Sequence, residues 1–210
     1  MKPRQGMATS DNNRFLRLWF EVNVEKIMLN AKNQDVASKS LKKWFPYNKG
    51  GEFRRWYGNY DYLINWEQNG QEVKEFAISK YNSVTRTIKN IPFYFRESIT
   101  WSLITSGGFS SRYREPGSLF DVAGMSTFSE SHDDLLYLMG VMNSPIGNYV
   151  FKMINPTLNL QAGDVKNFPL IEDKQIKVST LPIIENAIKI SKDEWETFEI
   201  AWNFKKHPLI

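Results

Sequence analysis

Residues 101–124 constrain the chain most. Trp101-Ser102-Leu103-Ile104-Thr105 alternates large with small or polar side chains, as a half-buried strand does. Ser106-Gly107-Gly108 breaks that strand, because glycine reaches backbone angles closed to other residues. Phe109-Ser110-Ser111-Arg112-Tyr113-Arg114 follows, and Pro116-Gly117 signals a turn. Ser118-Leu119-Phe120-Asp121-Val122 then reads as a returning strand. The expected unit is a hairpin carrying Arg112, Tyr113 and Arg114 beside a flexible glycine pair. Arginine forks match guanine edges and phosphates, and the hydroxyls of Ser110 and Ser111 suit close backbone approach. The same residues also suit a solvated arginine pair on a sheet edge, since exposure is the ordinary state of arginine.

The distribution of charge favours the first reading. From residue 36 to 114 there are 13 Lys/Arg against 6 Asp/Glu; from 115 to the end there are 8 against 13. An electropositive middle and an acidic end suit one surface that faces a polyanion. A second stretch, Trp44-Phe45-Pro46-Tyr47-Asn48-Lys49-Gly50-Gly51-Glu52-Phe53-Arg54-Arg55-Trp56-Tyr57-Gly58, interleaves rings with cations around a glycine turn. Such a stretch offers charge to phosphates and flat rings to bases or sugars. The expectation is rings mostly inward, with Lys49, Arg54 and Arg55 outward. Lys42 and Lys43 cluster just upstream, and Tyr47 and Arg86 complete the candidate DNA contacts. The chain holds 7 Trp, 9 Tyr and 14 Phe, so most rings must pack a core and only a minority is free to stack on bases.

In chain order, residues 1–13 read as an extended lead-in. Ser10 or Asp11 would cap a helix from Asn13, with Phe15, Leu16, Trp19 and Phe20 at helical spacing. A strand over 61–66, a tight turn at Asn69-Gly70 and a helix over 72–81 with Val73, Phe76 and Ala77 inward come next. Residues 126–128 close the sheet region. Ser131 caps a helix over 132–143 with Leu135, Leu136, Leu138, Met139 and Met142 as its apolar set. Ser144 caps another, with Pro145 at its first position and Ile146, Tyr149, Val150, Met153 and Ile154 as its apolar set. After Pro182 a helix runs from about Ile183 towards Lys205. These elements give an α+β fold: a twisted, mainly antiparallel sheet with flanking helices and a C-terminal helical segment. The expected division is a lead-in and linker helix (1–30), a recognition domain (31–175) and a spacer or docking helix (176–210).

Several function classes fall away. With no cysteine there is neither a disulfide framework nor a cysteine metal site. His132 and His207 lie in unrelated polar contexts, so no metal site and no catalytic residue is assigned. No apolar run approaches the ~20 residues of a membrane span, and the first residues lack the apolar core of a signal peptide. A cytoplasmic protein with no membrane partner is expected.

Four stretches resemble a known family. They are Pro3-Arg4-Gln5-Gly6 through Asp11-Asn12-Asn13-Arg14-Phe15; Lys43-Trp44-Phe45-Pro46-Tyr47-Asn48-Lys49-Gly50-Gly51-Glu52-Phe53-Arg54; residues 101–124; and Asn155-Pro156-Thr157-Leu158-Asn159 with Gly163-Asp164. Together they are similar to the C-terminal, target-recognition part of the PglX adenine-specific DNA methyltransferases of BREX phage-defence systems. More distantly, residues 132–171 resemble the end of a recognition domain in type I restriction specificity subunits. The resemblance implies sequence-specific binding of duplex DNA that directs S-adenosylmethionine-dependent methylation of adenine. It does not imply that this chain methylates. Adenine methyltransferases hold the extruded base with an Asn/Asp-Pro-Pro-aromatic motif, and Asn155-Pro156-Thr157-Leu158 shares only its first two letters. The glycine-containing cofactor motif is missing too. The chain is therefore expected to be a non-catalytic fragment, split subunit or truncated product that holds no cofactor itself. Its expected partners are duplex DNA and a methyltransferase catalytic part or another defence protein.

Two other classes stay open. Glu72-Val73-Lys74, with Asp61 upstream, has the Glu-x-Lys form of metal-dependent nucleases, although Glu172-Asp173-Lys174 has it equally. The acidic residues Asp193, Glu194, Glu196 and Glu199 around Trp195, Phe198 and Trp202 suit a protein-interaction helix, or a helix packed on its own domain.

Overall fold

A computed structural model describes residues 1–104, 108–207 and Leu209. In order, the elements are β1 (Lys2–Arg4), α1 (Asn12–Phe15), β2 (Leu16–Leu18), α2 (Gln34–Lys39), β3 (Trp44–Asn48), β4 (Tyr62–Asn65), α3 (Glu67–Tyr81), β5 (Ser98–Trp101), β6 (Ser111–Arg114), β7 (Leu119–Phe120), β8 (Ser126–Phe128), α4 (His132–Asn143), α5 (Pro145–Ile154), α6 (Ala162–Lys166) and α7 (Lys174–Trp195). The class is α+β, as expected, but with two four-stranded sheets rather than one. The first runs β1-β8-β5-β6, antiparallel throughout. The second runs β2-β4-β3-β7, antiparallel except for the parallel β3–β7 pair. That parallel pairing begins at Tyr47, one residue past Pro46, which has no N–H to give a ladder.

Strand alternation divides the first sheet into two unlike faces. Ile99 and Trp101 of β5 bury against Leu135, Met139 and Met142 of α4. Ser98 and Thr100 point the other way and are also buried. The second sheet supplies a separate core of Phe45, Ile64, Leu119 and Phe120, covered by Phe15, Val73 and Ala77.

The helix caps fall where the sequence puts them. The Ser131 hydroxyl accepts the Asp134 N–H, and the Ser144 hydroxyl accepts the Gly147 N–H. In α5, however, Phe151 is buried while Ile146, Tyr149 and Met153 are more than 60% exposed. The face expected to be inward is largely outward, because Phe151 stacks between Phe109 and Phe168 and fixes the rotation of the helix.

Four expectations are corrected, the first two by long-range pairing. The lead-in is not free: β1 forms the edge of the first sheet and Met7 is fully buried. The helix from Asn13 lasts one turn, capped by Asp11, before Leu16 pairs with Ile64 in a strand. Burial of the neighbours Phe15 and Leu16 on β4 and α3 overrides the helical spacing. Asn69-Gly70 lies in a left-handed kink at the head of α3. Lastly, α7 starts at Lys174, capped by Asp173, and runs through Pro182. The proline removes one N–H, and the carbonyl it would have met belongs to Val178, which is solvent-exposed.

The hairpin also differs from expectation. The partner of β5 is β6, so the arginines lie in a strand, while β7 crosses to the second sheet. Gly117 makes the crossing at φ +120°, where an added Cβ would sit 2.5 Å from the Leu29 carbonyl oxygen. Thr105 and the Ser106-Gly107 part of the break lie outside the described residues.

A polar knot joins the sheets. Asn48 Nδ2 donates to Thr100 Oγ1 and to the Gly124 carbonyl. Asp121 accepts the Tyr47 hydroxyl at 2.8 Å, Lys49 Nζ at 3.2 Å and the Ala123 N–H at 2.7 Å. Removing one partner of a largely buried pair strands the rest. Asp121→Ala is therefore expected to cost about 2–4 kcal/mol in urea unfolding. Lys49→Met, which deletes the partly exposed partner, is expected to cost clearly less.

Candidate nucleic-acid interface

The β5–β6 register sets Thr100 opposite Arg112 and Ser98 opposite Arg114, so both arginines share the polar face of the first sheet. They are 0% and 1% exposed. Arg112 donates to the Arg54 carbonyl at 3.2 Å and to Ser102 Oγ at 3.1 Å. Arg114 donates to the Asn59 carbonyl at 3.1 Å and lies 3.6 Å above the Tyr60 ring. Backbone bonds from Trp56 N–H to the Ser111 carbonyl and from Tyr113 N–H to the Trp56 carbonyl tie the same loop to β6. Residues 52–61 thus form a strap over the sheet, and the two guanidiniums are its internal fasteners.

Arg112 and Arg114, expected among the DNA contacts, are thus both buried as folded. The carboxylates of the region serve other cations, in the pairs Lys49–Asp121, Arg54–Glu194 and Lys192–Glu115. Burial pushes Arg112 down to about 9, with Arg114 and Arg54 adding repulsion. Burial lowers Arg114 too, opposed by Tyr60, Tyr57, Asp61 and Glu115. Ser110 and Ser111 are likewise inside. The Ser111 N–H donates to Asn143 Oδ1 and the Asn143 amide returns a bond to the Ser111 carbonyl, clamping β6 to the end of α4. Tyr47 belongs to the knot. Tyr113 is half-buried and its hydroxyl donates to Glu97.

The other candidates remain nearer solvent. Arg55 and Arg86 are exposed, resting over Phe53 and Tyr81. Lys43 is half-buried, 3.6 Å from Glu67. Lys49 and Arg54 keep about a third of their side chains exposed, Arg54 lying over Trp195 and Phe198. Lys42 is half-buried, with its ammonium on the Glu25 carbonyl.

Lys42 also stands on a cleft of about 850 Å³, between residues 27–30, the turn at 113–118 and the C-terminal turn at Trp202-Asn203. A second hollow of about 530 Å³ shares Trp202 and Asn203 and adds Lys192 and Lys205. The combined groove mixes rings, amides and three lysines. Of its lining, sequence reasoning placed Lys42 and Tyr113 among the contacts and missed Asn30, Glu115, Lys192, Asn203 and Lys205. No local pattern joins these residues; only the crossing at Gly117 and the return of the C-terminus bring them together. The acidic tail packs on its own domain, with Trp195 buried beside Tyr57, Tyr60 and Ala201.

The Glu72-Val73-Lys74 stretch is engaged otherwise. Glu72 accepts from Arg14 at 2.9 Å and from Asn65 at 2.7 Å, and Lys74 lies 5.3 Å from the Trp66 ring centroid. Among the described residues no three His, Asp or Glu side chains group as metal ligands. Nor is any helix among them long and apolar enough to cross a membrane.

No family model matches the chain. Over 210 residues, all of the chain and 17% of the relative, it is 38% identical to the adenine-specific methyltransferase PglX of Lacticaseibacillus casei (strain Zhang). Over 198 residues, 93% of the chain and 15% of the relative, it is 39% identical to the adenine-specific methyltransferase BrxX of Escherichia coli O9:H4 (strain HS). The chain thus spans about one sixth of the length of these curated relatives. It is homologous to PglX/BrxX-type adenine-specific methyltransferases at the level of a domain.

The site's tyrosines make its integrity readable. Burial raises the phenols of Tyr57, Tyr60 and Tyr113, as it does those of Tyr47 and Tyr94. A raised folded value contributes stability that is complete below the unfolded value of about 10 and is lost as pH climbs beyond it. Phenolate absorbance from these rings is expected to grow only together with loss of near-ultraviolet circular dichroism, above pH about 10. Tyr81, lowered first by its hydrogen bond with Ser10, is expected to ionise earlier with no structural change. Ionisation of all tyrosines in an intact fold would contradict the buried strap.

Proposed function

We propose that the chain is the duplex-DNA recognition domain of a PglX/BrxX-type adenine-specific methyltransferase, holding the target sequence while a separate catalytic portion transfers the methyl group. The observation that carries the reading is homology along the whole of this chain to a small share of proteins named adenine-specific methyltransferases. The sequence itself lacks the Asn/Asp-Pro-Pro-aromatic motif that grips adenine. S-adenosylmethionine then belongs to the catalytic portion. The setting is a bacterial phage-defence system of the BREX kind, in the cytoplasm where its DNA lies.

In this reading the affinity comes from the accessible cations Lys42, Lys43, Lys49, Arg54, Arg55 and Arg86 on phosphates. Arg112, Arg114 and Ser111 act one step back by holding the strap that carries Arg54 and Arg55, and Ser110 is buried beside them. Residues 31–175 form the recognition body and 176–210 the segment that docks on the catalytic portion. The docking role is favoured by α7, whose outer side exposes Ile176, Ile183 and Ile190 at seven-residue spacing.

Fluorescence anisotropy on labelled duplexes across a salt series tests the reading. Binding is expected to weaken steeply with salt, and Lys42→Ala and Arg55→Ala each to reduce the slope by about one. Absence of binding at low salt, or a slope untouched by both changes, would count against recognition by this surface.

A further inference from the structure

The cleft beside Trp202 is too small for a duplex, whose major groove alone is about 12 Å wide. Its volume of about 850 Å³ lies in the range of small-ligand sites. Its chemistry is specific. Tyr60 is closed to stacking, with Arg114 3.6 Å above its ring centroid and Tyr57 stacked 4.9 Å away. Trp202 is half-buried and stands nearly perpendicular to Tyr60, at 76° and 5.1 Å. It is therefore the large ring that the cleft offers to a planar guest.

Two amides line the same cleft as that ring. The Asn30 side chain makes no hydrogen bond among the described residues, and Gly117 draws the adjacent backbone close. Asn203 donates through Nδ2 to Glu196 at 3.1 Å, which leaves its amide oxygen as an acceptor. Carboxamides pair with base edges in both senses, as donors and as acceptors. Lys42 supplies positive charge, while Glu115 is already engaged by Lys192 at 2.7 Å. Burial lowers the Lys192 ammonium, but the bond to Glu115 prevails and raises it overall.

We infer that this cleft binds a single nucleotide unit, its base against Trp202, its edge on Asn30 and Asn203, and its phosphate at Lys42. The inference rests on the reading that this face meets nucleic acid, and it names what enters the cleft. The unit is either a free nucleotide or an unpaired nucleotide within a strand.

Titration calorimetry of the full chain with each of the four deoxynucleoside monophosphates, and with inorganic phosphate, tests it. Saturable binding of at least one nucleotide and none of inorganic phosphate is expected. Trp202→Ala should weaken it at least about tenfold, since base–aromatic stacking is of that order. That change also touches the Tyr57–Tyr60 cluster, so Asn30→Ala, at an exposed and unbonded side chain, is the second variant; it should weaken binding without altering unfolding. No saturable binding of any nucleotide, or binding unchanged in both variants, overturns the inference. A 2-aminopurine placed in single-stranded and in fully paired oligonucleotides separates the sources. Quenching only in the single strand assigns the unpaired unit; binding of monophosphates alone assigns the free nucleotide. Duplex affinity is measured on the same preparation. Duplex binding without nucleotide binding overturns this inference alone, and nucleotide binding without duplex binding overturns the recognition reading.

Discussion

A buried polar layer between the two sheets is the constraint on which the rest of the fold depends. Ser98, Thr100, Arg112, Arg114 and Ser126 form one face of the first sheet, and all are nearly inaccessible. Polar groups taken out of water must be bonded. Asn48 from the second sheet answers Thr100, and the strap carbonyls of Arg54 and Asn59 answer the two guanidiniums. An apolar face would accept many partners at many angles. This one accepts only the loop whose carbonyls fit, so the layer fixes where the strap lies and how the sheets meet. Among the described residues, Arg112 Nε and Arg114 Nε and Nη2 find no hydrogen-bond partner. Neither guanidinium forms a direct ion pair with a carboxylate among the described residues, so the layer is held by carbonyl and hydroxyl acceptors and by the Tyr60 ring.

The same layer decides which cations remain for function. Arg112 and Arg114 are spent on architecture, and their side chains position Arg54 and Arg55 at one remove. Arg54 is itself shared, since its guanidinium bonds Glu194 and lies over Trp195. Strap and C-terminal helix are therefore tied together at Arg54, and the groove beside Trp202 draws lining residues from both. A change in α7 is expected to reach the groove directly at Lys192 and indirectly through the Arg54–Trp195 contact.

What the sequence showed is what local rules decide. Ser131 and Ser144 were legible as caps because a hydroxyl and an N–H three residues on suffice. Val73 and Ala77 were legible because α3 buries one face. The run Phe15, Leu16, Trp19, Phe20 was misleading because its spacing fits a helix while its burial is settled by β4, far along the chain. The hairpin was misassigned for the same reason: β6 and β7 are both short, and no local feature tells which of them pairs with β5. The arginines were misplaced because charge is a good guide to exposure only on average. Nothing in Arg112-Tyr113-Arg114 announces that a loop sixty residues upstream will cover it. The cleft was illegible outright, since Asn30, Glu115 and Asn203 come from three distant segments.

The stretches that carry the family resemblance bear on this in an unexpected way. Met7 from the first, Tyr47, Asn48 and Lys49 from the second, and Asp121 from the third meet at one point. The Tyr47 hydroxyl lies 2.9 Å from the Met7 carbonyl oxygen and 2.8 Å from Asp121. Gly50 packs so tightly on residue 123 that an added Cβ would sit 2.6 Å from its carbonyl oxygen. An unusual run such as Lys-Trp-Phe-Pro-Tyr-Asn-Lys-Gly-Gly invites a reading as a contact surface, yet its most distinctive letters are consumed by joining the sheets. Similarity in these stretches therefore reports a shared scaffold. On the recognition reading proposed above, the residues that separate one target from another lie where the scaffold imposes no such demand: on the exposed side of the strap, and in the groove lined by Trp202 and Asn203.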